Sequence, residues 1–187
     1  MVLSSVGKRY AVALFNAAVA EDILDQVHGD LMSFAQLVEK EPALKVFLVS
    51  QRVSADQKRD LLMNTIGDRA SGLFVKFLLL LIDKKRIDDF TRNEFADIAE
   101  PFGLLYEEHN NIVKVSVVTA VPLDAETERK AKETIERRTG KTARIEKHID
   151  RNIIGGMIMI AGGKIIDGSI RNELAELRQE LLEARVN

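Results

Sequence analysis

The chain has 187 residues, 46% hydrophobic and 30% charged, enough for one large domain or two small ones with their own cores. It contains no cysteine, which excludes a disulfide framework, thiolate metal sites and a thiol nucleophile and fits a cytosolic protein. The net charge of −2 divides into 13 basic and 17 acidic side chains over 1–108 and 14 and 12 over 109–187, so neither half has the positive charge that nucleic-acid binding needs.

In chain order, residues 5–108 read as helix almost throughout, because apolar residues recur at helical spacing and β-branched runs are scarce. Helices are expected at about 5–20, 22–40, 43–49, 54–66, 69–84 and 87–108, which makes a six-helix bundle. Ser54-Ala55-Asp56-Gln57 is a capping box, Pro42 and Gly67 punctuate between helices, and Pro101 predicts a kink in the last one. The N-terminus lacks the layout of a signal peptide. The longest apolar run, Gly72–Ile82, is interrupted by Lys76 and falls far short of the roughly 20 residues of a spanning helix. Any membrane association is therefore expected through partners, with no direct insertion.

After Asn110-Asn111 the period changes. Ile112–Val118 reads as a strand. Pro122 and Asp124 open a polar helix that Gly140 stops near Thr139. Thr142–Ile149 alternates as a strand. Ile153–Ala161 is nearly all apolar and is expected to be buried on both faces. Gly162-Gly163 suits a hairpin turn with positive φ, and Lys164–Asp167 completes the hairpin. Ser169 can cap a last helix on which Ile170, Leu174, Leu177 and Leu181 form one stripe. The expected fold is mainly α with a small α/β part: residues 1–109 a helical bundle, residues 110–187 a short mixed sheet with two helices.

No catalytic, cofactor or metal site emerges. Gly140-Lys141-Thr142 resembles the end of a phosphate-binding loop, but position 135 is Ile where that loop has glycine, and a helix precedes it where a strand should. Ile165 replaces the hydroxyl residue that would follow Gly163-Lys164. Gly155-Gly156 lacks the third glycine and the helix of a dinucleotide site. His28, His109 and His148 fall on three separate elements without metal-ligand spacing. What remains is surface for partners. The stretches Tyr10–Ala20 and Leu73–Ile82 are apolar nearly all round, so these helices are either both central or together form a groove for a partner helix.

Several segments carry a family likeness: Arg9-Tyr10-Ala11-Val12-Ala13-Leu14-Phe15, Leu79–Ile87, Val115–Leu123, and above all Ile149-Asp150, Ile154-Gly155-Gly156 and Ile166-Asp167-Gly168-Ser169-Ile170-Arg171 followed by Leu174 and Leu177. In this order and spacing the chain resembles the delta subunit of bacterial F-type ATP synthases, the relative of the mitochondrial oligomycin-sensitivity-conferring protein. The segment 40–70 adds nothing to the match. The resemblance implies a non-catalytic peripheral-stalk subunit, without cofactor and present in one copy per complex. It would hold the catalytic head against the turning rotor, on the cytoplasmic face of the bacterial plasma membrane. It places N-terminal segments of the alpha subunits between the first and fifth helices, where Tyr10, Ala13, Leu14, Phe77 and Leu81 have suitable spacing. It places the b subunits on the C-terminal domain, where Leu181 and Leu182 in the terminal turns have few intrachain neighbours. An enzyme using the α/β part and a free-standing helical adaptor are the competing classes. A bound small molecule would favour the former, and absence from the membrane-bound ATPase the latter.

Overall fold

The computed structural model describes residues 5–93, 95–161 and 164–184, with side chains at all of these except Lys164 and residues 180–184. The chain divides into two compact units, Met1–Tyr106 and Glu107–Asn187.

The first unit is helical: α1 Ser5–Ala20, α2 Leu24–Lys40, α3 Pro42–Val49, α4 Ala55–Ile66, α5 Gly72–Asp83, α6 Ile87–Arg92 and α7 Ala96–His109, whose last turn enters the second unit. Each long helix turns one stripe inward. In α1 this is Gly7, Ala11, Leu14 and Ala18, and in α2 Leu24, Val27, Leu31, Phe34 and Val38, the alternating three- and four-residue steps of a helix with one buried side. Ser54 caps α4 as expected: its Oγ accepts from Gln57 N (3.2 Å) while Gln57 Oε1 accepts from Ser54 N (2.9 Å). At the centre, Phe34 meets Phe74 and Phe95 edge-to-face with ring centroids 5.9 and 5.0 Å apart, an arrangement that adds to plain area burial.

The helix expected at 87–108 is two helices, α6 and α7. The break follows Asn93. Phe95 takes φ +60°, its N–H donates to Phe90 O (2.9 Å), and its ring is fully buried. That backward bond satisfies a carbonyl at the end of α6, and burying the ring outweighs the strain of a left-handed residue.

One buried polar atom in this unit lacks a partner: Thr91 Oγ1, in α6, has no hydrogen bond among the described residues. A buried hydroxyl without compensation is destabilising. Thr91→Val, which keeps the shape, should leave stability unchanged or raise it by about 1 kcal/mol. Urea unfolding of the full chain measures this, and a loss of more than about 1 kcal/mol would mean that the hydroxyl is bonded.

The second unit contains β1 Ile112–Thr119, α8 Ala125–Thr139, β2 Thr142–Ile149, a 3₁₀ turn at Arg151–Ile153, β3 Gly156–Ala161, β4 Lys164–Ser169 and α9 Ile170–Ala184. The sheet is mixed, in the order β2-β1-β3-β4: β2 lies parallel to β1, and β3 is antiparallel to both β1 and β4. The parallel pair requires a crossover, and α8 supplies it. Asp124 caps α8 by accepting from Glu126 N and Thr127 N, and bonds from the Thr127 hydroxyl and amide hold its carboxyl below the usual range. Gly140 ends α8 at φ +67°. Ser169 Oγ accepts from Asn172 N (3.2 Å), so it does cap α9.

Two strand expectations need correction. The apolar run from Ile153 is not one strand, because Arg151–Ile153 forms the 3₁₀ turn and β3 begins at Gly156. Nor is β3 buried on both faces: Ile160 is 37% and Ile154, just before the strand, 62% exposed. The expected Gly162-Gly163 turn lies outside the described residues. Positive φ is found at Gly156 (+73°) and not at Gly168. A Cβ at Gly156 would collide with the Gly168 carbonyl of the neighbouring strand. Gly156→Ala combines that collision with an unfavourable backbone, so it should cost the second unit about 2 kcal/mol or more. Faster hydrogen exchange at β3 and β4 amides, with helical amides of the first unit unchanged, is the expected readout.

Candidate partner-binding surfaces

In the first unit the structure separates the five residues singled out on α1 and α5. Leu14 is 2%, Phe77 7% and Leu81 0% exposed, and all three belong to the hydrophobic core. They cannot line a groove while the bundle is folded. The reason is geometric: Leu14 falls on the buried stripe of α1, while Phe77 and Leu81 lie on the broad buried arc of α5 with Phe74, Val75, Leu78 and Ile82. Tyr10 is half-buried and Ala13 exposed.

These two residues help to line a shallow cleft of about 330 Å³ with Val6, Arg9 and Arg86. Phe77 acts from beneath: the Tyr10 ring packs edge-on against Phe77 (6.3 Å) and Phe90 (5.5 Å), which fixes the tyrosine at the cleft edge. Val6, Tyr10, Ala13 and Ala17 follow one another at helical spacing along α1, each half-buried or exposed. The short Ala13 side chain leaves room for a helix to approach closely. Arg9 and Arg86 bring positive charge to the rim, and Arg86 Nη1 pairs with Asp89 Oδ2 (3.0 Å). Sequence reasoning missed Val6, Arg9 and Arg86. Arg86 comes from the turn after α5, and helical periodicity carries no signal for residues beyond a helix end.

In the second unit the two sheet faces differ. Val113, Val115, Val117, Ala143, Ile145, Met157, Met159 and Ala161 pack together with Ile135 of α8. On the opposite face the register aligns Val118, Ile158 and Asp167 in one row and Ser116, Ile160 and Ile165 in the next. Here Ile165 is 68% exposed, and Val118 and Ile158 are half-buried. The stripe on α9 is also open, with Ile170 41%, Leu174 53% and Leu177 49% exposed. Its first turn is anchored, since Ile170 N donates to Gly155 O (3.0 Å). The side chains of Leu181 and Leu182 lie outside the described residues. Exposed aliphatic side chains grouped in this way are the kind of surface that partner proteins cover.

Lys141 and Thr142 run directly from the Gly140 helix end into β2, where Thr142 N donates to Asn111 O (2.9 Å), so Gly140-Lys141-Thr142 is a helix-to-strand connection. Among the described residues no group of three or more His, Asp or Glu side chains could hold a metal ion, and no helix is long and apolar enough to cross a membrane.

The family model for the ATP synthase delta (OSCP) subunit matches residues 6–181. The chain is 35% identical over 185 residues to the ATP synthase subunit delta of Syntrophus aciditrophicus, covering 98% of this chain and 99% of that one. It is 33% identical over 184 residues to that of Desulfitobacterium hafniense, covering 98% and 100%. Its fold matches a chain in the cryo-EM structure of the Toxoplasma gondii mitochondrial ATP synthase hexamer at a TM-score of 0.68, with 23% identity over 96% of this chain and 98% of that one. The family match runs along nearly the whole length: the chain belongs to the ATP synthase delta (OSCP) subunit family, a structural and non-catalytic component of the peripheral stalk.

Proposed function

We propose that this chain joins the catalytic head of an F-type ATP synthase to its b-subunit stalk, so that ion translocation is coupled to ATP synthesis. Residues 1–109 hold N-terminal helices of the alpha subunits, and residues 110–187 hold the b subunits. One copy serves each complex, held through it at the cytoplasmic face of the bacterial plasma membrane. The observation that carries this reading is that each compact unit has its own open surface with apolar side chains, the α1 cleft in one and the α9 stripe with the partly open sheet face in the other. A connector under torque needs a joint at each end.

On the first unit, the corrected contact set is Val6, Tyr10, Ala13 and Ala17, supported from below by Phe77. On the second, Ile170, Leu174 and Leu177 form the upper part of the joint, and Leu181 and Leu182 extend it toward the chain end. The decisive experiment adds the purified chain to membranes stripped of it. Restored ATP-driven ion pumping, with the chain recovered alongside the alpha and b subunits, is expected. Hydrolysis and pumping unaffected by its presence would overturn the proposal.

A further inference from the structure

A second cleft of the first unit, of about 430 Å³, is lined by Gln51, Val53, Ala55, Lys58, Ile82, Lys85, Ile87 and Asp88. It lies between the start of α4 and the turn from α5 to α6, and Tyr10 and Ala13 take no part in it. Its distinctive residue is Lys58. Lys58 is only 8% exposed, its stem covered while its ammonium nitrogen keeps contact with solvent, and among the described residues no carboxylate pairs with it. Neighbouring charges are engaged elsewhere: Arg59 with Asp56 and Asp83, and Arg86 with Asp89. The cleft therefore holds two cations, Lys58 and Lys85, against one half-buried carboxylate, Asp88. Ile82 and Ile87, 4% and 2% exposed, belong to the core beneath it, so its accessible aliphatic members are Val53 and Ala55.

From this arrangement we infer that the cleft receives a single carboxylate side chain from another subunit of the synthase, seated between Lys58 and Lys85, with an apolar neighbour of that residue against Val53 and Ala55. The charge count selects the occupant. A surplus of one positive charge is neutralised by one carboxylate, whereas a doubly charged phosphate would leave Asp88 facing uncompensated negative charge. The aliphatic lining favours a peptide-borne carboxylate over a free hydrated anion. Seating it converts the unpaired ammonium of Lys58 into a partly buried, charge-assisted hydrogen bond, a stronger interaction than an exposed surface pair. This gives the first unit a second contact besides the α1 cleft, and it rests on the assignment to the ATP synthase.

The test measures affinity of the full chain for synthase complexes stripped of it, by co-sedimentation at low and moderate salt. Lys58→Met keeps the apolar stem and removes the charge. It should weaken binding roughly tenfold or more while Lys58→Arg recovers most of it, and neither should change the thermal midpoint of the free chain. Lys85→Met, on an exposed residue, should weaken binding in the same direction without risk to the fold. Carbodiimide treatment of the assembled complex should join Lys58 or Lys85 to a carboxylate of another subunit. Wild-type affinity in both Met variants would overturn the inference, as would loss of affinity reproduced by inorganic phosphate at millimolar concentration, which would make the occupant a free anion. If the unmodified chain itself failed to bind the stripped complex, the assignment to the stalk would fall instead.

Discussion

Ala13→Asp is expected to weaken binding to an alpha-subunit N-terminal peptide by about 2 kcal/mol, some thirtyfold, with the melting temperature of the chain unchanged. Ala13 is exposed in the free chain, so an aspartate there is hydrated until a partner helix covers it. The cost then appears only on binding, when the charge loses water against an apolar helix face. Arg9, also on the cleft, does not cancel that cost: a salt bridge at an exposed rim contributes well under the desolvation of a buried carboxylate. The paired control is Leu81→Asp. Leu81 is fully buried within the core cluster, so its replacement leaves an uncompensated charge in the interior at about 3–5 kcal/mol, a large part of a domain's total stability. It should unfold the first unit and lose binding for that reason. Circular dichroism and calorimetric titration on both variants separate the two effects. Tight peptide binding by Ala13→Asp would move the alpha contact away from α1.

The difference between these two variants also marks where sequence reading stops. Local signals were legible. Ser54, Asp124, Gly140 and Ser169 each do at a helix end what their side chains or backbone freedom predict, because a cap is decided within four residues. The choice between core and surface on α1 and α5 was not legible. Ala11, Ala13, Ala17 and Ala18 are equally apolar, yet Ala11 and Ala18 are fully buried and Ala13 is exposed. Alanine carries too little hydrophobic contrast to set the rotation of a helix, so neighbours set it: Leu14 points inward, and Ala13 is carried outward by the 100° step. The break at Phe95 was hidden because no Gly or Pro precedes it; a buried ring drives it, and burial is a property of the finished core. In the second unit, Ile158 and Ile160 read as core by composition, yet their face is partly open. Sequence patterns report which residues avoid water, but a surface kept for another protein and a surface buried within the chain have the same composition.

That ambiguity sets up the largest effect expected in the second unit. The double substitution Leu174→Asp with Leu177→Asp should abolish binding to the b subunits while the chain remains folded. Both residues are about half exposed, on one stripe of α9, so the free chain tolerates charge there at little cost. Their remaining apolar area is what a partner helix would cover, with each lost leucine contact contributing about 1 kcal/mol and each desolvated aspartate about 1–3 kcal/mol more. Together these reach about 4–8 kcal/mol, a loss of roughly a thousandfold or more in affinity. The first unit is untouched, so the variant should still bind the catalytic head. The head keeps its own nucleotide chemistry, so hydrolysis should continue, but with the lower joint open the head turns with the rotor and ion pumping should fall to background. A chain truncated after Glu176 keeps Leu174 but loses Leu177 together with Leu181 and Leu182. It should be as defective as the double variant if the joint extends along the whole stripe. Both activities are measured in membranes where immunodetection shows the variant to be assembled. Full coupling of pumping to hydrolysis in those membranes would mean that the stalk grips the second unit elsewhere, with the partly open sheet face of Val118, Ile158, Ile160 and Ile165 the next surface to charge.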